Sequence, residues 1–174
     1  AMWVQSGAGR WVNYKYGFGA IDASAAVGLA RTWQNVKPER GVTSGVLVVN
    51  AGIPDNDASG VTRTASIESD LSIETVEVVL DVTHAFVGDL QITLTAPSGT
   101  SSVLALKRND PTDNYSGFVF TSRRHFGEHA AGVWTLNIAD RAALDTGAWV
   151  DWRLNVYGTS PCLSDFNRDG FVNG

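Results

Sequence analysis

Cysteine is nearly absent: Cys162 stands alone in 174 residues, so no disulfide forms within the chain. That neither requires nor excludes an extracellular home. Basic residues are also few. Lys and Arg number 13 against 18 Asp and Glu, for a net charge of −5. Nucleic acids and anionic membranes want basic surface, so this balance counts against both as partners. No apolar run approaches the ~18 residues that a membrane-spanning helix requires. No signal peptide is visible, and any export signal would lie upstream of Ala1. Charged residues make up 18% of the chain and hydrophobic ones 44%. That composition excludes a disordered polymer and suffices to bury a core.

What is present falls into three segments. In residues 1–40, the turn Tyr16-Gly17-Phe18-Gly19 leads into an apolar pattern with Ala26, Leu29, Ala30 and Trp33 at i, i+3, i+4 and i+7. This predicts a helix over about 21–33. Asp22 is placed to cap its first turn, Arg31 suits the far end of its dipole, and Pro38 prevents continuation. Residues 41–159 change period. Val76, Val78, Leu80 and Val82 share a face, with Glu77 and Asp81 opposite. Trp134, Leu136 and Ile138 alternate with Thr135 and Asn137. Val150, Trp152, Leu154 and Val156 alternate with Asp151, Arg153 and Asn155. Half-buried strands broken by Gly, Pro, Asn and Asp turns predict an all-β antiparallel sandwich or barrel. No helix of useful length fits between them, which counts against a parallel α/β sheet.

The most informative stretch is residues 84–100. There the turn Val87-Gly88-Asp89 enters an alternating strand (Leu90, Ile92, Leu94) and Pro97-Ser98-Gly99-Thr100 turns the chain again. This stretch resembles the P domain that follows the subtilisin-like catalytic domain in proprotein convertases of the kexin and furin type. Ile53-Pro54-Asp55 resembles that family's opening, and Leu104 with Arg108-Asn109-Asp110 its middle. Phe126-Gly127-Glu128, Gly132-Val133-Trp134 and Asp140 resemble its late block. Gly147, Trp152 and Tyr157-Gly158-Thr159 resemble its close. Phe126 stands where members often carry Trp, and the region between Tyr115 and Arg124 looks like a shortened loop. Upstream, Tyr16 to Ala23 resembles the ending of subtilisin-like catalytic domains, and Trp33 the Trp that follows the last helix in kexin-type members. The resemblance implies an eight-stranded jelly-roll β-sandwich over 41–159, preceded in 1–40 by the end of a catalytic domain.

Residues 160–174 contain Asp165-Phe166-Asn167-Arg168-Asp169-Gly170-Phe171-Val172-Asn173. This D-x-N-x-D-G spacing places oxygen side chains at calcium-loop positions 1, 3 and 5, and glycine at 6. Phe171 would add its carbonyl and Asn173 a side chain or bridged water. The segment resembles the start of a dockerin repeat, without its position-12 carboxylate, so weak Ca²⁺ binding is expected. Asp55 and Asp57 flank a second acidic turn. It is open to two readings: an edge Ca²⁺ site, or an Asx turn whose side chains cap backbone N–H groups.

Catalytic residues are not expected. Gly99-Thr100-Ser101 mimics the surroundings of a subtilisin nucleophile, but Ala105 stands where the motif needs Pro, and the context is a strand. His84 reads as a packed, hydrogen-bonded residue, and His125 and His129 have no sequence support for a triad. Glu68, Asp70, Glu74 and Glu77 read as a solvated face. Trp134 and Trp152 read as core, whereas Trp149 and Trp11 read as surface aromatics. The resemblance implies a non-catalytic P domain of a secreted, subtilisin-like serine endopeptidase, docked on and regulating the catalytic domain of the same polypeptide. The alternative is a carbohydrate- or protein-binding module of an exported enzyme. The apolar stripe of residues 1–40 is expected to find cover on the sandwich or on a second copy.

Overall fold

A computed structural model describes residues 2–161. The chain opens with a short hairpin, β1 (Val4–Gln5) and β2 (Trp11–Val12), followed by helix α1 (Ala23–Ala30). Eight longer strands follow: β3 (Arg40–Ile53), β4 (Val61–Ile67), β5 (Ser72–His84), β6 (Leu90–Thr95), β7 (Ser101–Ala105), β8 (Tyr115–Ser122), β9 (Gly132–Asp140) and β10 (Gly147–Thr159). They form two four-stranded sheets, ordered β3-β10-β5-β8 and β4-β9-β6-β7. Every neighbouring pair in both sheets is antiparallel. The protein is therefore an all-β sandwich.

The alternation read in the sequence builds the core. Val76, Val78, Leu80 and Val82 of β5 face Leu90, Ile92 and Leu94 of β6 and Trp134, Leu136 and Ile138 of β9, all of them buried. Each fully buried aliphatic side chain contributes about 1.5–3 kcal/mol. One strand breaks the simple pattern. Between Trp149 and Asp151, two steps along β10 match one along β5, from Val82 to Asp81. A bulge of this kind exchanges the faces on either side of it. The inward set of β10 is consequently Trp149, Trp152, Leu154 and Val156, and Val150 is only half-buried. Trp149 is thus a core residue in contact with Trp152, their rings 5.9 Å apart, and not a surface aromatic.

Two further expectations are corrected. Most of the 115–124 stretch is the edge strand β8 rather than a shortened loop. It pairs with β5 from Val82↔Tyr115 to Val76↔Ser122. Its irregularity is absorbed at Gly117 (φ +56°), whose N–H donates to the Asp81 carboxylate at 2.9 Å. Tyr115, Phe118 and Phe120 hold the strand down through ring contacts of 4.7–5.3 Å. The helix is shorter than the stripe suggests, eight residues from Ala23 to Ala30. Asp22 caps it by accepting from Ala25 N at 2.9 Å. The chain turns at Arg31 and Thr32, so Trp33 lies beyond the helix, and no helical residue is buried. An eight-residue helix with Gly28 inside it is marginal by itself, and its Leu29 is 57% exposed. The expected cover for this stripe is not supplied by the sandwich.

Candidate functional site: the seam between the amino-terminal arm and the sandwich

The contact with the sandwich comes from the residues before the helix. The 123–129 turn leaves β8 and is tied to the start of β5: Gly127 N donates to Ile73 O (2.7 Å) and Ile73 N to Glu128 O (2.9 Å). This fixes Glu128, only 2% exposed, as a receiver for the arm. Its Oε1 accepts from Gly7 N at 2.9 Å and its Oε2 from Ser98 Oγ at 2.7 Å. Thr100 Oγ1 also accepts from Gly7 N at 2.9 Å. Gly7 passes so close that a methyl group there would collide with the Ser98 side chain, which is why the position takes glycine.

Behind Glu128 lies His125, wholly buried, its Nδ1 3.6 Å from Glu128 Oε2 and its ring edge-on to Trp134 at 5.1 Å. Burial pushes the Glu128 carboxyl up. The neighbouring His125 ring and the Ser98 and Thr100 hydroxyls outweigh that, so it sits below the usual glutamate value. Further along, the Tyr14 hydroxyl accepts from Val103 N at 3.1 Å. Arg124 lies 4.3 Å over the Tyr14 ring, and Arg10 5.3 Å over Phe126. Phe18 meets Phe126 edge-on at 6.0 Å. Phe126 is therefore an aromatic anchor for the arm.

The opposite end of the sandwich carries a second knot. His84 is buried, with Nδ1 2.9 Å from Phe86 O and Nε2 3.3 Å from Asp140 Oδ2. Asp140 Oδ1 accepts from Ala142 N at 3.0 Å. The nearby turn Val87–Asp89 crosses residues 108–110, where Gly88 N donates to Asp110 O and Arg108 N to Gly88 O. A Cβ on Gly88 would stand 2.5 Å from Asp110 O. The His84–Asp140 pair could pass for two-thirds of a triad. Yet Asp140 pairs with Leu90 at one end of β6, whereas Ser101 pairs with Thr95 at the other, and Ser101 Oγ is bonded to Thr95 Oγ1 at 3.0 Å. His84 is the packed, hydrogen-bonded residue its context predicts.

The remaining candidates are placed as follows. Asp57 Oδ1 accepts from Ser59 N at 2.8 Å, and the Ser59 backbone and side-chain bonds hold its carboxyl below the usual aspartate value. Both oxygens of Asp55 reach Leu144 N, at 3.0 and 3.3 Å. The Asp57 bond has the form of an Asx turn, whereas the Asp55 bonds tie two segments 89 positions apart. Among the described residues, no group of three or more His, Cys, Asp or Glu is placed to hold a metal. Asp165, Asn167, Asp169, Phe171 and Asn173 lie outside the described residues. Asp70, read as part of a solvated face, is exposed, and it also contacts His129 Nδ1 at 2.7 Å and accepts from Ala130 N at 3.1 Å. Trp134, Trp149 and Trp152 are all in the core, at 0, 0 and 1% exposure, while Trp11 is 56% exposed. Among the described residues, no row of tryptophans lines a sheet face.

The described residues thus form a two-sheet sandwich with an arm clasped at one end. A sequence profile described as the proprotein convertase P-domain matches residues 73–156, and the sandwich belongs to that family. The chain is 33% identical over 166 residues to human proprotein convertase subtilisin/kexin type 4, covering 91% of this chain and 22% of that protein. It is 32% identical over 165 residues to bovine furin, covering 91% and 21%. A crystal structure of the Aeromonas sobria serine protease in complex with a chaperone superposes with a TM-score of 0.79 at 25% identity, covering 91% of this chain and 33% of that one. The chain thus spans roughly a fifth of the curated relatives' length.

Proposed function

We propose that this chain is the supporting P domain of a secreted, subtilisin-like serine endopeptidase, and that residues 1–40 are the end of its catalytic domain. The observation that carries this is the seam. An arm that resembles the close of a catalytic domain is held on the sandwich by buried Glu128 and by Phe126, within a chain whose sandwich matches the P-domain family. Locking the end of one domain onto the core of the next couples their stabilities, as burial at an inter-domain contact does. The strand orders support the jelly-roll reading of 41–159. Peptide-bond hydrolysis belongs to residues outside this chain.

Calcium is the proposed cofactor of the parent loop, through Asp165, Asn167 and Asp169 side chains, the Phe171 carbonyl and Asn173. Without a bidentate position-12 ligand, the affinity expected is weak, with a Kd of about 10⁻³ M or worse. The non-catalytic reading is tested by incubating the chain with unfolded casein and with peptides cleaved after paired basic residues. No turnover is expected. Turnover that disappears in Ser101→Ala would overturn the reading.

A further inference from the structure

We propose that the seam carries a docking pocket for an acidic peptide segment, one that places an aromatic residue beside its carboxylates. The pocket is open, about 680 Å³, and lined by Gly9, Arg10, Trp11, Phe18, Arg123 and Phe126. A second recess of about 250 Å³ shares Phe18 and Arg123 with it and adds Tyr14 and Arg124. Arg10 and Arg123 border the aromatic-floored pocket, and Arg124 borders the adjoining recess beside Arg123. Among the described residues none of them makes an ion pair, whereas Arg108 holds Asp110 at 2.6 Å. Arg124 Nε is buried without a hydrogen-bond partner, a donor without an acceptor. On a chain of net charge −5, such a cluster is a local exception to the overall charge.

The chemistry selects the occupant. Guanidinium forks match carboxylates bidentately and are less strongly hydrated than ammonium groups, so they favour anions in partly desolvated pockets. An inorganic anion would leave the Trp11, Phe18 and Phe126 floor unused, and the volume lies in the range of pockets that hold larger ligands. A nucleic acid would need a broader basic surface than three cations supply. An acidic–aromatic peptide satisfies both the rim and the floor. This site goes beyond the proposed supporting role and does not depend on it.

The test follows backbone, Trp11 indole and arginine Nε–H signals by NMR during titration with acetyl-Glu-Phe-Glu-amide at low salt. Acetyl-Gln-Phe-Gln-amide and sodium sulfate are the comparison arms. The acidic peptide is expected to shift the pocket signals saturably, with a Kd of about 1 mM that weakens as salt rises. The glutamine peptide should bind at least about tenfold more weakly. Arg123 is exposed, so Arg123→Glu should weaken the acidic peptide about tenfold while leaving the thermal midpoint unchanged. Equal binding of both peptides, no saturable shift, an unaltered affinity in Arg123→Glu, or sulfate binding as tightly as the acidic peptide would each overturn the proposal.

Discussion

Trp149 and Trp11 separate burial from mere aromatic content. Trp149 is wholly buried against Trp152, whereas Trp11 is 56% exposed on the arm. Trp149→Ala should lower unfolding free energy by about 3–5 kcal/mol, and Trp11→Ala by no more than about 0.5 kcal/mol, as read from urea midpoints. Residue alternation alone placed Trp149 outside, because a period-2 pattern carried past a bulge inverts every face after it. Trp134, Trp152 and His84 sit where their context predicts, because no irregularity separates them from their neighbours' pattern.

Glu128 is the second residue-scale test. Its folded carboxyl lies below the usual glutamate value, so the stability it contributes is present above the unfolded pKa. That stability is lost as pH falls through the folded value. Acidification below about pH 4.3 should therefore release the arm before the sandwich unfolds, seen as earlier hydrogen exchange at Gly7 and Val103. Glu128→Gln keeps the shape but removes the charge. It should cost about 1–3 kcal/mol and make arm release largely insensitive to pH in that range. Retention of the full acid response in Glu128→Gln would contradict this account.

At the scale of elements, the helix and the 87–89 turn make opposite predictions. Helix α1 buries nothing, so Leu29→Ser should change stability by less than about 0.5 kcal/mol. Gly88 sits where a Cβ would press on the backbone of residues 108–110. Gly88→Ala should cost about 1–3 kcal/mol by overpacking. Thermal or urea unfolding of the two variants decides the contrast. The strands β5, β6 and β9 are legible in the sequence because each keeps one uninterrupted apolar face. The edge strand β8 is not, since Gly117 and the Asp81 contact break its period. The helical stripe is legible as a pattern but not in its packing, because no sequence pattern shows whether a second surface meets it.

At the scale of the whole molecule, the seam joins residues far apart in the chain. Gly7 reaches Glu128 across 121 positions, and Tyr14 reaches Val103 across 89. No local spacing encodes such contacts, so the site escaped sequence reasoning although Phe126-Gly127-Glu128 stood out as a motif. The ordered set of motifs from Ile53 to Thr159 did carry the family, because each fixes a turn or a core position of the same sandwich. In the function proposed above, the sandwich holds up, through its seam, the catalytic domain whose end is residues 1–40. Peptidase half-life at elevated temperature, compared for the longer polypeptide with and without residues 41–159 and as Glu128→Gln, tests this. Rapid loss of activity on deletion and an intermediate loss in Glu128→Gln are expected. An equal half-life for all three proteins would contradict it.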